Sequence, residues 1–159
     1  MKIDEFEGKQ PQFVLEEFFS GHLRGWGITL GRMGGFQNRF SIEAHGTWDP
    51  SANVLSLKET YTFDDGHTDV LTWTIIKRGD GEYDGRETLI DGTAKGDQRG
   101  NAFRWQYHRE VPAADGSKSN IGFDDWFFLH DGEHMSAHAS LTKLGIELAT
   151  LNAFYEKVD

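Results

Sequence analysis

The sequence predicts an all-β fold: an antiparallel up-and-down, lipocalin-like barrel of eight or nine strands with a short N-terminal helix. Three observations predict it. From Gly21 onward apolar and polar residues alternate with period two, as in half-buried strands. Clusters of Gly, Asp and Asn cut that alternation into strand-length segments. The composition, with 12 Phe and 5 Trp beside 19 Gly and only 3 Pro, suits an aromatic core punctuated by turns. Strands joined in sequence leave two open edges, and closure into a barrel removes them. A flat sheet packed on one helix is the competing architecture.

The elements follow in order. Pro11 to Phe19 reads as a short helix, with proline at its start and acidic residues early. The first strand is Arg24 to Met33, with Trp26, Ile28 and Leu30 on one face, and Gly34-Gly35 turns it. The second is Phe36 to Trp48, alternating Phe40, Ile42 and Ala44 against Arg39, Ser41, Glu43 and His45. A turn at Asp49 to Asn53 leads to the third strand, Val54 to Phe63, with Leu55, Leu57, Glu59, Tyr61 and Phe63 on one face. Asp64-Asp65-Gly66 is a hairpin signal. The fourth strand is His67 to Arg78, with Leu71, Trp73 and Ile75 together. Gly79-Asp80-Gly81 turns into a fifth, Tyr83 to Lys95, bent at Gly85 or Gly92. The sixth, Asn101 to Val111, puts Phe103, Trp105, Tyr107 and Arg109 on one face. A polar loop from Pro112 to Ser119 precedes the seventh, Asn120 to His130. Asp131-Gly132 turns into the eighth, Glu133 to Lys143. The apolar spacing from Ile146 to Lys157 suits either a helix or a ninth, closing strand.

One domain accounts for the whole chain of 159 residues. The formal charge is −10, which repels phosphate backbones and argues against a nucleic-acid partner. Cysteine is absent, so disulfides, thiolate nucleophiles and Cys-ligated metals are excluded. No apolar run reaches the ~20 residues of a membrane-spanning helix, so no integral membrane segment is expected. The N-terminus has no apolar signal core, and the expected location is the cytoplasm.

Several side chains could carry chemistry. Glu59 shares a face with apolar neighbours, so a barrel with that face inward holds a buried carboxyl, with Arg39, Arg86, Arg104 or Arg109 as candidate partners. Asp124 and Asp125 are adjacent and point to opposite faces. If Asp125 shares a face with Phe123 and Phe127, it is the second inward acid, and Glu59 and Asp125 could then act as acid and base or bind a cation. The plain alternatives are a structural ion pair for Glu59 and backbone hydrogen bonds for Asp125. A cavity lined by Tyr61, Trp73, Trp105, Tyr107 and Trp126 would suit an apolar ligand. His130, His134 and His138 suggest a metal site, but His134 and His138 are about 13 Å apart at strand rise. No metal and no cofactor is therefore expected. No phosphate-binding loop or nucleophile elbow is present.

The ordered motifs resemble a bacterial family, domain of unknown function 3833. They begin with Phe18-Phe19-Ser20-Gly21, Trp26-Gly27, Asn38-Arg39-Phe40 and Gly46-Thr47-Trp48. Leu57-x-Glu59 with Tyr61-x-Phe63-Asp64-Asp65-Gly66 follows, then Trp73 and Asp91-Gly92-x-Ala94-x-Gly96. Gly100 to Tyr107, Phe123-Asp124-Asp125-Trp126 and Lys143-Leu144-Gly145-Ile146 complete the set. The resemblance covers Pro11 to Phe154. Thr60, Tyr61, Ala137 and His138 depart from the usual family residues. The resemblance implies a lipocalin-like barrel, a strand for Ile146 to Tyr155 and a connection to lipids. The leading expectation is a binding protein for a small hydrophobic, lipid-like ligand, oriented by Arg39, Glu59 or Asp125. Two other readings stay open: an enzyme on a lipid-derived compound with Glu59 and Asp125 as acid and base, and a barrel filled by its own side chains that serves structure or interaction.

Overall fold

The computed structural model describes residues 1–158. Ten antiparallel strands form it: β1 Gly21–Gly31, β2 Phe36–Asp49, β3 Val54–Phe63, β4 Thr68–Gly79, β5 Glu82–Arg86, β6 Ile90–Arg99, β7 Ala102–Pro112, β8 Lys118–Leu129, β9 His134–Lys143 and β10 Ile146–Val158. Each pairs with the next, and β1 pairs with both β2 and β10, so the barrel closes. The tail is a strand, registered from His22 opposite Val158 to Gly31 opposite Ala149.

The strand count is ten rather than eight or nine because the expected fifth strand is two. The chain reverses at Glu87 to Leu89, which contain no glycine, asparagine or proline to mark a turn. The Glu87 side chain builds the reversal: Oε1 accepts from Leu89 N at 3.1 Å, while the Ile90 N–H donates to the Glu87 carbonyl. The expected helix also shrinks. Only Leu15–Phe18 is helical (α1), and Pro11 lies outside it. A 3-10 turn at Ile3–Phe6 precedes it.

The inward faces are largely those the alternation marks: Phe40, Ile42 and Ala44 on β2, Leu55 and Leu57 on β3, Leu71, Trp73 and Ile75 on β4, Phe103 and Trp105 on β7. β1 runs the other way. Leu23, Gly25 and Gly27 face in, while Trp26 and Ile28 stand on the outer face. The inward glycines leave room that larger neighbours fill, since a Cβ at Gly27 would meet the Phe40 ring.

The two ends of the barrel differ. At the lower end Phe13, Leu15, Phe18 and Phe19 are buried and close the bottom. Phe19 packs on Phe127 and Tyr155, both at 6.1 Å between ring centroids. Burying such side chains stabilises by about 1.5–3 kcal/mol each. Polar bonds fix the plug. Tyr83 Oη and Lys77 Nζ donate to Glu16 at 2.5 and 2.7 Å, and Lys157 Nζ donates to the carbonyls of Glu17, Phe18 and Ser20. Gly46 lets the plug approach: a Cβ there would overlap the Phe19 carbonyl. At the upper end lie the β1–β2, β3–β4, β5–β6, β7–β8 and β9–β10 turns.

Candidate functional site

A cavity of about 510 Å³ runs from the Phe19 plug to the upper mouth, where Asp65, His67 and the β7–β8 loop at Ala113 and Ala114 border it. That volume lies within the roughly 300–1,000 Å³ usual for small-molecule sites. The barrel is therefore not filled by its own side chains. On β9 and β10 the small residues Ala137, Ala139 and Ala149 line the cavity beside the larger Leu141, Leu151 and Tyr155.

Six of the eight candidate residues line this cavity: Glu59, Tyr61, Trp73, Trp105, Tyr107 and Asp125. Trp73 stacks on Trp105 at 5.5 Å and meets Tyr107 edge-on at 5.4 Å, and Tyr107 stacks on Phe123 at 4.9 Å. The polar tips of these aromatics are aimed at the acids. Trp73 Nε1 donates to Glu59 Oε1 at 3.1 Å, and Tyr107 Oη donates to Asp125 Oδ2 at 2.7 Å. Asp125 Oδ1 is buried without a hydrogen-bond partner. The hydroxyls of Tyr61 and Tyr155 are 3.4 Å apart.

Electrostatics follow from burial. Loss of water pushes Glu59 up to about 7, with the Asp125 charge adding to the rise and the Trp73 bond opposing it. Burial also pushes Asp125 up to about 7, against the Tyr107 hydrogen bond. Burial raises Tyr61, Tyr107 and Tyr155 well above the usual phenol range, so all three remain neutral.

The other two candidates lie outside the cavity. Arg39 is exposed on the outer face of β2, where its backbone N–H and carbonyl engage Asp64. Its parity is opposite to that of Phe40, which points in. Trp126 is buried, but on the outside, beneath Phe6 of the 3-10 turn and Phe128 and under the Arg104 guanidinium at 4.9 Å. Burial by an N-terminal segment packed over the wall is not visible in strand alternation. Asp124 shares that outer face and receives both arms of Arg104 at 2.8 and 2.7 Å.

None of the four arginines considered as partners for Glu59 bonds to it. Arg109 points inward, as its register with Trp105 and Tyr107 requires, but it is claimed elsewhere. Its Nη1 and Nη2 hold Asp69 at 2.6 and 3.0 Å, and its Nε holds Glu87 at 2.6 Å. This buried triad has a structural reason. β4 pairs with β5 only from Thr74 onward, because β5 ends at Arg86. Above that point Glu87 Oε2 accepts from Thr72 N at 3.4 Å and the triad joins β4 to β7 across the seam. Asp69 was readable from its register with Leu71 and Trp73; Glu87, in an unmarked turn, was not.

The histidines of the β8–β9 hairpin do not converge. His130 bonds Ser136, His134 bonds Asp131 and His138 bonds Asn152. A different trio, His22, Glu43 and His45, has ligand-type atoms within 4.8 Å of one another on the outside of β1 and β2. There Glu43 is engaged by His22 and by Arg24, whose cation opposes a second one. The trio arises from cross-strand register, which spacing along one strand does not reveal.

Fold and site together define a closed antiparallel, lipocalin-like barrel with an aromatic cavity open at one end. The chain belongs to the family described as Protein of unknown function (DUF3833), which matches residues 1–157. No curated protein matches it in sequence. Solved structures share the fold at low identity. The S-type phycobiliprotein lyase from Guillardia theta is 12% identical with a TM-score of 0.64, over 100% of this chain and 98% of that one. A protein of unknown function from the DUF3598 family of Nostoc punctiforme is 13% identical with a TM-score of 0.63. The match covers 94% of this chain but only 51% of that protein, so the chain spans about half its length. EF1p2_mFAP2b bound to DFHBI is 8% identical with a TM-score of 0.50, over 89% and 95% of the two chains. Among the described residues no helix is long and apolar enough to cross a membrane.

Proposed function

We propose that the protein binds a small, largely apolar ligand inside the barrel. The observation that carries this reading is the cavity itself: about 510 Å³, walled by aromatic and aliphatic side chains, plugged below and open above. A space of this kind favours an apolar guest, because its walls are otherwise wetted. At the upper end the β1–β2 and β9–β10 turns and the strand ends beside them carry exposed Met33, Phe36, Leu144, Ile146 and Leu148. These side chains offer an apolar path inward. A structurally similar protein holds DFHBI, and another is named for its action on a phycobiliprotein, which is compatible with small-molecule handling on this fold. Native mass spectrometry of freshly purified protein, followed by organic extraction, tests the reading. A stoichiometric added mass that extracts as a small apolar compound is expected. A clean mass together with failure to take up any hydrophobic probe would refute it.

A second reading is favoured by one observation: Glu59 and Asp125 both titrate near neutrality inside the cavity. Such groups can exchange protons with a bound substrate, so the barrel could catalyse isomerisation or hydration of a lipid-derived compound. Glu59→Gln then abolishes turnover with the fold intact, and unchanged turnover removes Glu59 from that role.

A further inference from the structure

The acids Glu59 and Asp125 line the cavity, and they constrain the ligand's polar end. Arg109 is the only lysine or arginine among the residues lining the cavity, and its guanidinium is already divided between Asp69 and Glu87. The Trp73 and Tyr107 donors are spent on Glu59 and Asp125. The Tyr61–Tyr155 pair leaves one hydroxyl proton free, and an anion reaching it would sit in the field of Glu59, which acts on Tyr155. Oδ1 of Asp125 is buried without a hydrogen-bond partner. A buried acceptor without a partner is costly, so a guest that supplies the missing donor recovers that cost.

We propose that the ligand carries a protonated amine on its apolar body, that the amine donates to Asp125 and Glu59, and that fatty carboxylates are discriminated against. This rests on the ligand-binding reading and adds the chemical class of the ligand to it. The titratable and charged groups around the acids are Glu59 and Tyr61 on β3, Asp69 on β4, Glu87 in the β5–β6 turn, Tyr107 and Arg109 on β7, Asp124 and Asp125 on β8, His138 on β9 and Tyr155 on β10. The Arg109 triad is internally paired. The two acids that titrate near neutrality are therefore the ones the amine meets. Binding the cation favours their ionised forms and releases protons, so affinity rises with pH while the amine stays charged.

Three probes of one chain length separate the outcomes: decylammonium, decanol and decanoate, each titrated into the protein and followed by calorimetry and by tryptophan fluorescence. Decylammonium should bind about tenfold or more tighter than decanol, the effect of one charge-assisted hydrogen bond, and decanoate should bind weakest. The preference for the amine should grow from about pH 6 to about pH 8. Glu59→Gln with Asp125→Asn, checked for folding by circular dichroism, should bring amine and alcohol to within about threefold of each other. If decanol or decanoate binds as tightly as the amine, the proposed ligand class is wrong and the binding reading survives. If no probe binds, the binding reading itself fails. If the amine is preferred but the double variant keeps that preference, the assignment to Glu59 and Asp125 is overturned.

Discussion

Replacing Glu59 by glutamine should change how stability depends on pH, and the size of the change can be worked out. Glutamine keeps the oxygen that accepts from Trp73 Nε1 and removes the ionisable group. In the folded protein the carboxyl titrates at about 7, against an ordinary 4.5 in the unfolded chain. A raised value means that the folded state holds its proton more tightly. The contribution of Glu59 to stability is therefore fully present below about pH 4.5 and is lost as pH rises through about 7. The whole difference is worth about 3 kcal/mol, of which about 2 kcal/mol falls between about pH 5.5 and pH 8.5. Urea unfolding followed by tryptophan emission, at matched pH values for both proteins, reads this directly. The native protein should lose about 2 kcal/mol more than Glu59→Gln over that interval. Parallel pH profiles would refute the claim that Glu59 is held protonated by burial.

Other outcomes follow from the same geometry. Arg109→Met leaves Asp69 and Glu87 as buried acids without a cation, and should cost about 3–5 kcal/mol in chemical denaturation. At Glu16 burial alone would raise the carboxyl, but the bonds from Lys77 and Tyr83 outweigh it and hold it below the ordinary range. Its contribution is present above the ordinary value and lost as pH falls through the lowered one, so Glu16→Gln should flatten the acid limb of the stability profile. Gly46→Ala should destabilise by about 1–3 kcal/mol through collision with Phe19, whereas Gly132→Ala, facing open space, should stay within about 0.5 kcal/mol. Thermal melts of the two variants make the comparison.

The barrel was legible because period two survives in most strands. Leu57, Glu59 and Tyr61 on β3, and Phe103, Trp105 and Tyr107 on β7, reach the interior as their alternation requires. Asp125 was legible for the same reason, as adjacent Asp124 had to face out. What parity could not show was anything depending on a third element. Trp126 has the burial of a core residue, yet Phe6 covers it from outside. β5 and β6 read as one strand because their turn is made by the Glu87 side chain and not by a glycine. Arg109 was a candidate partner for Glu59, but Asp69 and Glu87 at the seam beside β4 take its guanidinium instead. The cavity itself depends on alanines at 137, 139 and 149. Small residues in an alternating pattern look the same whether a neighbour fills the space or none does.

The central claim is that the space beneath the mouth admits a small apolar molecule. Ala139 lines that space, so Ala139→Trp should fill it without touching the plug. Titration of N-phenyl-1-naphthylamine, read by its emission, tests this in both proteins. A saturable one-to-one enhancement in the native protein, lost in Ala139→Trp with circular dichroism unchanged, is the result the barrel geometry requires. No saturable signal in the native protein, or an equal one in the filled variant, would contradict it.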